Sequence, residues 1–99
     1  MANHHYRITW ADAIRAHEEA LELGGATGVL DENRILAAIE RPYDRYHIHI
    51  YEKAAALVES VIQNHGFVDG NKRTALYLVH ILAERSGYNL EADDESIVD

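Results

Sequence analysis

The sequence predicts an all-α domain. Four segments place apolar residues at helical spacing between recognisable caps, one Pro and six Gly interrupt 99 residues, and a single short stretch alternates as a strand would. Thr9 followed three residues later by Asp12 makes a capping box with Asp in the Glu/Gln role, and Ala13, Ile14, His17, Ala20 and Leu21 then recur on one face up to Gly24 and Gly25. This predicts a first helix over about 10–23. Asp31 caps a second helix, with Leu30 and Ile35 set as a hydrophobic staple, Ile35, Leu36 and Ile39 on one face, and Pro42 stopping it near Glu40. Residues 43–51 alternate aromatic or apolar with polar side chains and predict a strand or hairpin arm. Over 52–64, Ala55, Leu57, Val58, Val61 and Ile62 cover more than one face, which predicts a central, mostly buried helix. A last helix is expected over 71–86, with Ala75, Leu78, Val79 and Leu82 inward and Gly87 ending it. Trp10, Tyr77 and Tyr88 read as packing residues, His17 and His80 as core or rim histidines, and His4 and His5 as a disordered terminus. Five acids among residues 91–99 include Asp93 and Asp94, either of which would cap a further helix just where the chain stops.

Length and composition bound the function. The 99 residues form one domain spanning 1–99 with material for a single core. Nine cations against 17 acids give a net charge of −8, which disfavours unaided binding to a phosphate backbone. The absence of Cys excludes a disulfide scaffold and a thiolate zinc site. No apolar run approaches the roughly 20 residues of a membrane span, and the N-terminus lacks the charged and apolar regions of a signal peptide, so a cytoplasmic location with no membrane partner is expected.

The chemistry concentrates in residues 65–73, His-Gly-Phe-Val-Asp-Gly-Asn-Lys-Arg, between two apolar helices. Unpaired N–H groups at the start of the following helix make Gly70, Asn71 and Lys72 a natural anion seat, and an anion such as a phosphate chain would account for Lys72 and Arg73 at the positive end of a helix dipole. Asp69 beside that seat can hold a Mg²⁺ ion that also binds phosphate oxygens. His65 can accept a proton from an incoming hydroxyl, its ordinary pKa near 6.5 suiting that task. Together these parts fit phosphoryl or nucleotidyl transfer, though the same residues would also serve as a polar helix connection. His47 and His49 share one face of the alternating segment, but no third metal ligand at suitable spacing accompanies them.

These nine residues resemble the signature of the Fic/Doc (Fido) superfamily, His-x-Phe-x-Asp/Glu-Gly/Ala-Asn-x-Arg, at every fixed position. The likeness covers about residues 7–90, including a first helix ending in Gly-Gly, a second ending in Arg-Pro, and the Tyr-Glu-Lys-Ala-Ala-Ala-Leu run at 51–57. It implies a compact Fido-type helical bundle in which His65 is the general base, Asp69 the Mg²⁺ ligand, Gly70 and Asn71 the anion hole, and Lys72 and Arg73 phosphate contacts. Lys72 stands where adenylylating members carry Gly, and Leu76 where they carry a second Arg, so the chain is similar to the Doc-like (death-on-curing) branch. That branch implies a kinase-type toxin that transfers the γ-phosphate of ATP to a Ser or Thr of elongation factor Tu and arrests translation. Adenylyl transfer and a catalytically silent, operon-regulating module are the alternatives.

The resemblance also places the family's target-binding flap at about 43–51. No Ser or Thr has Glu four residues later, so the family's built-in inhibitory helix is missing and restraint is expected from a cognate antitoxin whose disordered tail folds into the groove. DNA would be met only through that antitoxin. Family chains continue for a helix or two past the position of Asp99, so the expected bundle lacks its last helices.

Overall fold

The computed structural model describes residues 5–88. Within them α1 (Trp10–Ala20) runs into a 3₁₀ turn at Leu21–Leu23, α2 (Glu32–Glu40) into another at Arg41–Tyr43, and α3 (Ile50–Asn64) and α4 (Asn71–Arg85) follow. The all-α prediction holds. Each start follows from local chemistry. Thr9 Oγ1 accepts the Asp12 N–H at 3.1 Å while the Asp12 carboxylate accepts the Thr9 N–H at 2.9 Å, closing the predicted box. Asp31 caps α2 by accepting from the N–H groups of Asn33 and Arg34. Leu30, however, is 60% exposed, so the expected staple buries little of it, while Ile35 is buried in the core.

The largest departure from the sequence reading is at 43–51, where the described residues contain no strand. Asp44 Oδ1 accepts the Tyr46 N–H at 2.8 Å and lies 2.8 Å from His47 Nδ1, which bends the chain into a turn. Glu52 then accepts the N–H groups of Ile48 and His49, so α3 begins at Ile50, two residues before the expected start. Among the described residues no strand lies beside it to reward an extended conformation, and alternation alone does not create one.

α4 packs against α1 on one side and α3 on the other, and α2 packs against α3 and the edge of α1. Leu57 and Val61 of α3, Leu78 and Leu82 of α4, Ile35 and Ile39 of α2, and Ala13 and Ala16 of α1 meet in one core with Ile8 and Phe67. Each fully buried Leu contributes about 1.5–3 kcal/mol relative to exposure. α3 is central as expected but less buried than predicted, because Tyr51, Ala55, Glu59 and Gln63 keep one stripe in solvent. No helix of the described residues is long and apolar enough to cross a membrane.

The chain entry is strapped to the far end of α4. The Asp12 carboxylate accepts Tyr6 Oη at 2.6 Å and Arg85 Nη1 at 3.2 Å, and the Tyr6 N–H donates to Ser86 Oγ at 2.8 Å. His5, expected in a disordered terminus, is half-buried with its ring 6.1 Å from that of Tyr88. His4 and the acidic stretch 91–99, with its expected helix start at Asp93 or Asp94, lie outside the described residues.

Burial works to raise the Asp12 pKa, but hydrogen bonds from Tyr6 and Thr9 and the charge of Arg85 outweigh it and hold the carboxyl below its ordinary range. A depressed carboxyl pKa stabilises the fold above the unfolded-state value near 4, and that stability is lost as pH falls through the folded-state value. Asp12→Asn is therefore expected to lower stability by about 1–3 kcal/mol at neutral pH. Its deficit relative to wild type should shrink when melting is repeated near pH 3, and an equal deficit at both pH values would remove Asp12 from the account.

Candidate functional site

α3 ends because His65 adopts a left-handed conformation, φ 50° and ψ 50°, which turns the chain away from the helix axis and leaves the imidazole exposed. The next residues are pinned from two sides. Val29 and Phe67 form an isolated antiparallel bridge, with the Val68 N–H on the Gly28 carbonyl at 3.0 Å and the Leu30 N–H on the Gly66 carbonyl at 2.8 Å. The Asn71 side chain closes the loop, since its Oδ1 accepts the Phe67 N–H at 3.2 Å and its Nδ2 donates to the Phe67 carbonyl at 3.0 Å.

Phe67 itself is 2% exposed and stacks on His17, ring centroids 3.9 Å apart and planes inclined by 12°. His17 Nε2 lies 2.9 Å from the Asp69 carbonyl oxygen. The Asp69 carboxylate accepts the Ala26 N–H at 3.1 Å and the Gly70 N–H at 2.8 Å. Those two bonds, aided by the charge of Arg73, hold its carboxyl below the ordinary range, so it is ionised at neutral pH.

Gly70 is the N-cap of α4, and no side chain caps that end. The first-turn N–H groups therefore face open space, with Lys72 exposed beside them. They border a cavity of about 730 Å³ whose lining includes His65, Asp69, Gly70, Asn71, Lys72 and Arg73, so the six residues singled out in the sequence surround one space.

Two of them carry duties the sequence did not show. The Asn71 side chain is spent on Phe67, which leaves its backbone N–H as its contribution to an anion seat. Arg73 Nη1 donates to the Ala20 carbonyl at 3.0 Å, so the C-terminal end of α1 already accounts for part of this cation's placement. Removing the Asn71 clamp strands a buried N–H and carbonyl, and Asn71→Ala is expected to cost about 1–3 kcal/mol, read by denaturant unfolding.

Sequence reasoning missed the opposite wall, where Gly24 and Gly25 line the cavity. A Cβ on Gly25, at φ 124°, would stand 2.9 Å from Leu21 Cδ2 and 3.1 Å from Asp69 Oδ2, so this glycine lets the wall approach the carboxylate. As a sequence pattern the pair signals the end of a helix and nothing of the cavity. The segment at 43–51 is absent from the site. It runs into the first turn of α3, whereas His65 follows the last turn of that 15-residue helix, which is about 22 Å long. The segment lying against the motif loop is instead 25–31.

The sequence profile of the Fic/DOC family matches residues 7–83, which spans all four helices up to the last turn of α4 and the whole motif loop. This chain belongs to the Fic/DOC family. A curated Fic/DOC relative, Toxin Doc of Mycolicibacterium smegmatis (strain ATCC 700084 / mc(2)155), is 38% identical over 80 residues, covering 75% of this chain and 61% of that protein. The chain thus spans less than two thirds of that relative's length. No solved structure matches.

Asp69 fits a role in holding Mg²⁺. Its carboxylate is ionised, lies on the cavity wall and keeps lone pairs beyond those used by the two N–H groups. Among the described residues no group of three or more His, Cys, Asp or Glu side chains is placed to hold a metal ion.

Proposed function

We propose that this Fic/DOC domain is the toxin of a toxin–antitoxin pair and transfers the γ-phosphate of ATP to a Ser or Thr hydroxyl of elongation factor Tu. The observation that carries the reading is the position of His65 between two concavities. It lines the 730 Å³ cavity and also a groove of about 520 Å³ on the α2–α3 side, bordered by Asn33, Ala37, Gln63 and Asn64. A general base belongs between the space for the phosphate donor and the space for the acceptor, and the larger cavity lies within the usual 300–1,000 Å³ of small-ligand sites.

In this reading the N–H groups of α4's first turn and Lys72 orient the phosphate chain. His65 accepts the acceptor hydroxyl's proton, the acceptor oxygen bonds to the γ-phosphorus, and the bond to the β–γ bridging oxygen breaks to leave ADP. Asp69 would hold the Mg²⁺ ion, whose contribution is neutralisation of phosphate charge. Lys72 and Leu76 favour phosphoryl over adenylyl transfer, because adenylylating members carry Gly and Arg there. The target backbone would lie along 25–31, which flanks the motif loop, rather than along 43–51. Restraint would come from an antitoxin tail that folds on binding, and any contact with operator DNA would pass through that antitoxin.

The test is the intact mass of purified elongation factor Tu after incubation with this protein, ATP and Mg²⁺. Gain of one phosphoryl group supports the proposal. Gain of an adenylyl group replaces the reaction type, and no gain, with binding to an antitoxin peptide retained, supports a silent module instead.

A further inference from the structure

We infer that His17 is a positioning residue, whose Nε2–H fixes the main chain at Asp69 and so aims the carboxylate at the cavity. The inference rests on the metal-holding role proposed for Asp69. His17 is 6% exposed on the inner face of α1, where its helical neighbours Ala13, Ala16 and Ala20 are fully buried. A polar ring in that setting costs free energy unless it is hydrogen-bonded. Its partner is the Asp69 carbonyl oxygen, which can only accept, so Nε2 carries the proton. The same ring lies flat on Phe67, so one side chain grips the loop at two residues that bracket Val68.

The carboxylate of Asp69 is aimed by the Ala26 and Gly70 N–H groups, and both bonds depend on where the Asp69 main chain sits. An aromatic ring of similar size could supply the stacking. Only a donor can supply the bond to the carbonyl. α1 therefore reaches the candidate metal ligand through one hydrogen bond, and the structure assigns His17 to the loop's geometry rather than to substrate contact.

His17→Phe keeps the stacking surface and removes the donor, whereas His17→Gln restores an N–H donor without the ring. The first readout is amide hydrogen exchange of Ala26 and Gly70 in the ligand-free protein. Exchange at both should accelerate by about tenfold or more in His17→Phe, as expected for a local opening eased by one hydrogen bond, and return towards wild type in His17→Gln. The second is affinity for Mn²⁺ with ATP by electron paramagnetic resonance. His17→Phe should weaken it by about 10–100-fold, the range for loss of a residue that orients a metal ligand.

Unchanged exchange and unchanged Mn²⁺ affinity in a folded His17→Phe protein overturn the inference. If wild type itself fails to bind Mn²⁺ with ATP, the metal reading of Asp69 fails, while accelerated exchange at Ala26 and Gly70 still establishes His17 as the residue that sets the loop. If His17→Phe does not fold, His17→Gln decides. Wild-type exchange there supports the inference, and loss of protection in a folded His17→Gln protein overturns it.

Discussion

Replacing His65 by Asn is expected to lower phosphoryl transfer by about 10²–10⁴-fold, the usual loss when a general base is removed, while leaving the melting temperature close to wild type. The two halves of this expectation have separate physical sources. His65 is exposed, so substitution opens no cavity in the core. Its backbone is left-handed at φ 50°, a conformation that Asn tolerates better than most residues. Asn therefore removes the base without adding the backbone strain that Ala would bring at the same position. The measurement is the rate of mass gain on elongation factor Tu beside a thermal melt of each protein. A folded His65→Asn protein with undiminished transfer would remove His65 from the chemistry. A protein that loses both transfer and several degrees of melting temperature would show that the left-handed turn, rather than the imidazole, is what the site needs.

The sequence made the helices and the motif readable for reasons that stop short of the site's full construction. The Thr9–Asp12 box, the Asp31 cap and the apolar spacing of α4 are local, and local rules describe them well. The gathering of the loop residues around one cavity was also legible, because His65, Asp69 and the start of α4 fall within nine residues and must lie near one another.

What escaped depends on distant parts of the chain. Arg73 meets the Ala20 carbonyl 53 positions away, and Asp69 meets Ala26 and His17 across 43 and 52 positions. No spacing rule anticipates such pairings. The strand expected at 43–51 fails for a different reason: Asp44 and Glu52 capture the backbone locally, and no strand among the described residues lies alongside to pair with it. The segment that does border the site, 25–31, pairs among the described residues only through the Val29–Phe67 bridge, and Gly25 and Gly28 at positive φ leave it without a strand pattern.

Gly66 is where fold and site meet most tightly, and Gly66→Ala is expected to be the most damaging single-methyl change in the loop. An added Cβ would stand 2.3 Å from Ile35 Cγ1, 3.1 Å from the Ile35 nitrogen and 3.3 Å from its Cα. Ile35 is 3% exposed within the core, so its side chain has little room to retreat. Overpacking of this kind typically costs about 1–3 kcal/mol, and the backbone contacts place this site at the upper end. That is a large share of the roughly 5–15 kcal/mol that holds a domain of this size together.

The damage should also spread along the loop. The Gly66 carbonyl accepts the N–H groups of Leu30 and Asp31, so moving residue 66 away from α2 strains both bonds and shifts the adjoining His65. A double-mutant cycle separates the clash from these consequences. Ile35→Ala alone is expected to cost about 2–5 kcal/mol as a core truncation, yet in that background Gly66→Ala should cost much less than in wild type. Equal costs in both backgrounds would show that the close approach to the Ile35 backbone nitrogen and Cα, which the truncation keeps, sets the cost rather than the Ile35 side chain. If the coupling is found, transfer that stays lost in a Gly66→Ala protein stabilised elsewhere would show that loop position, rather than global stability, limits His65.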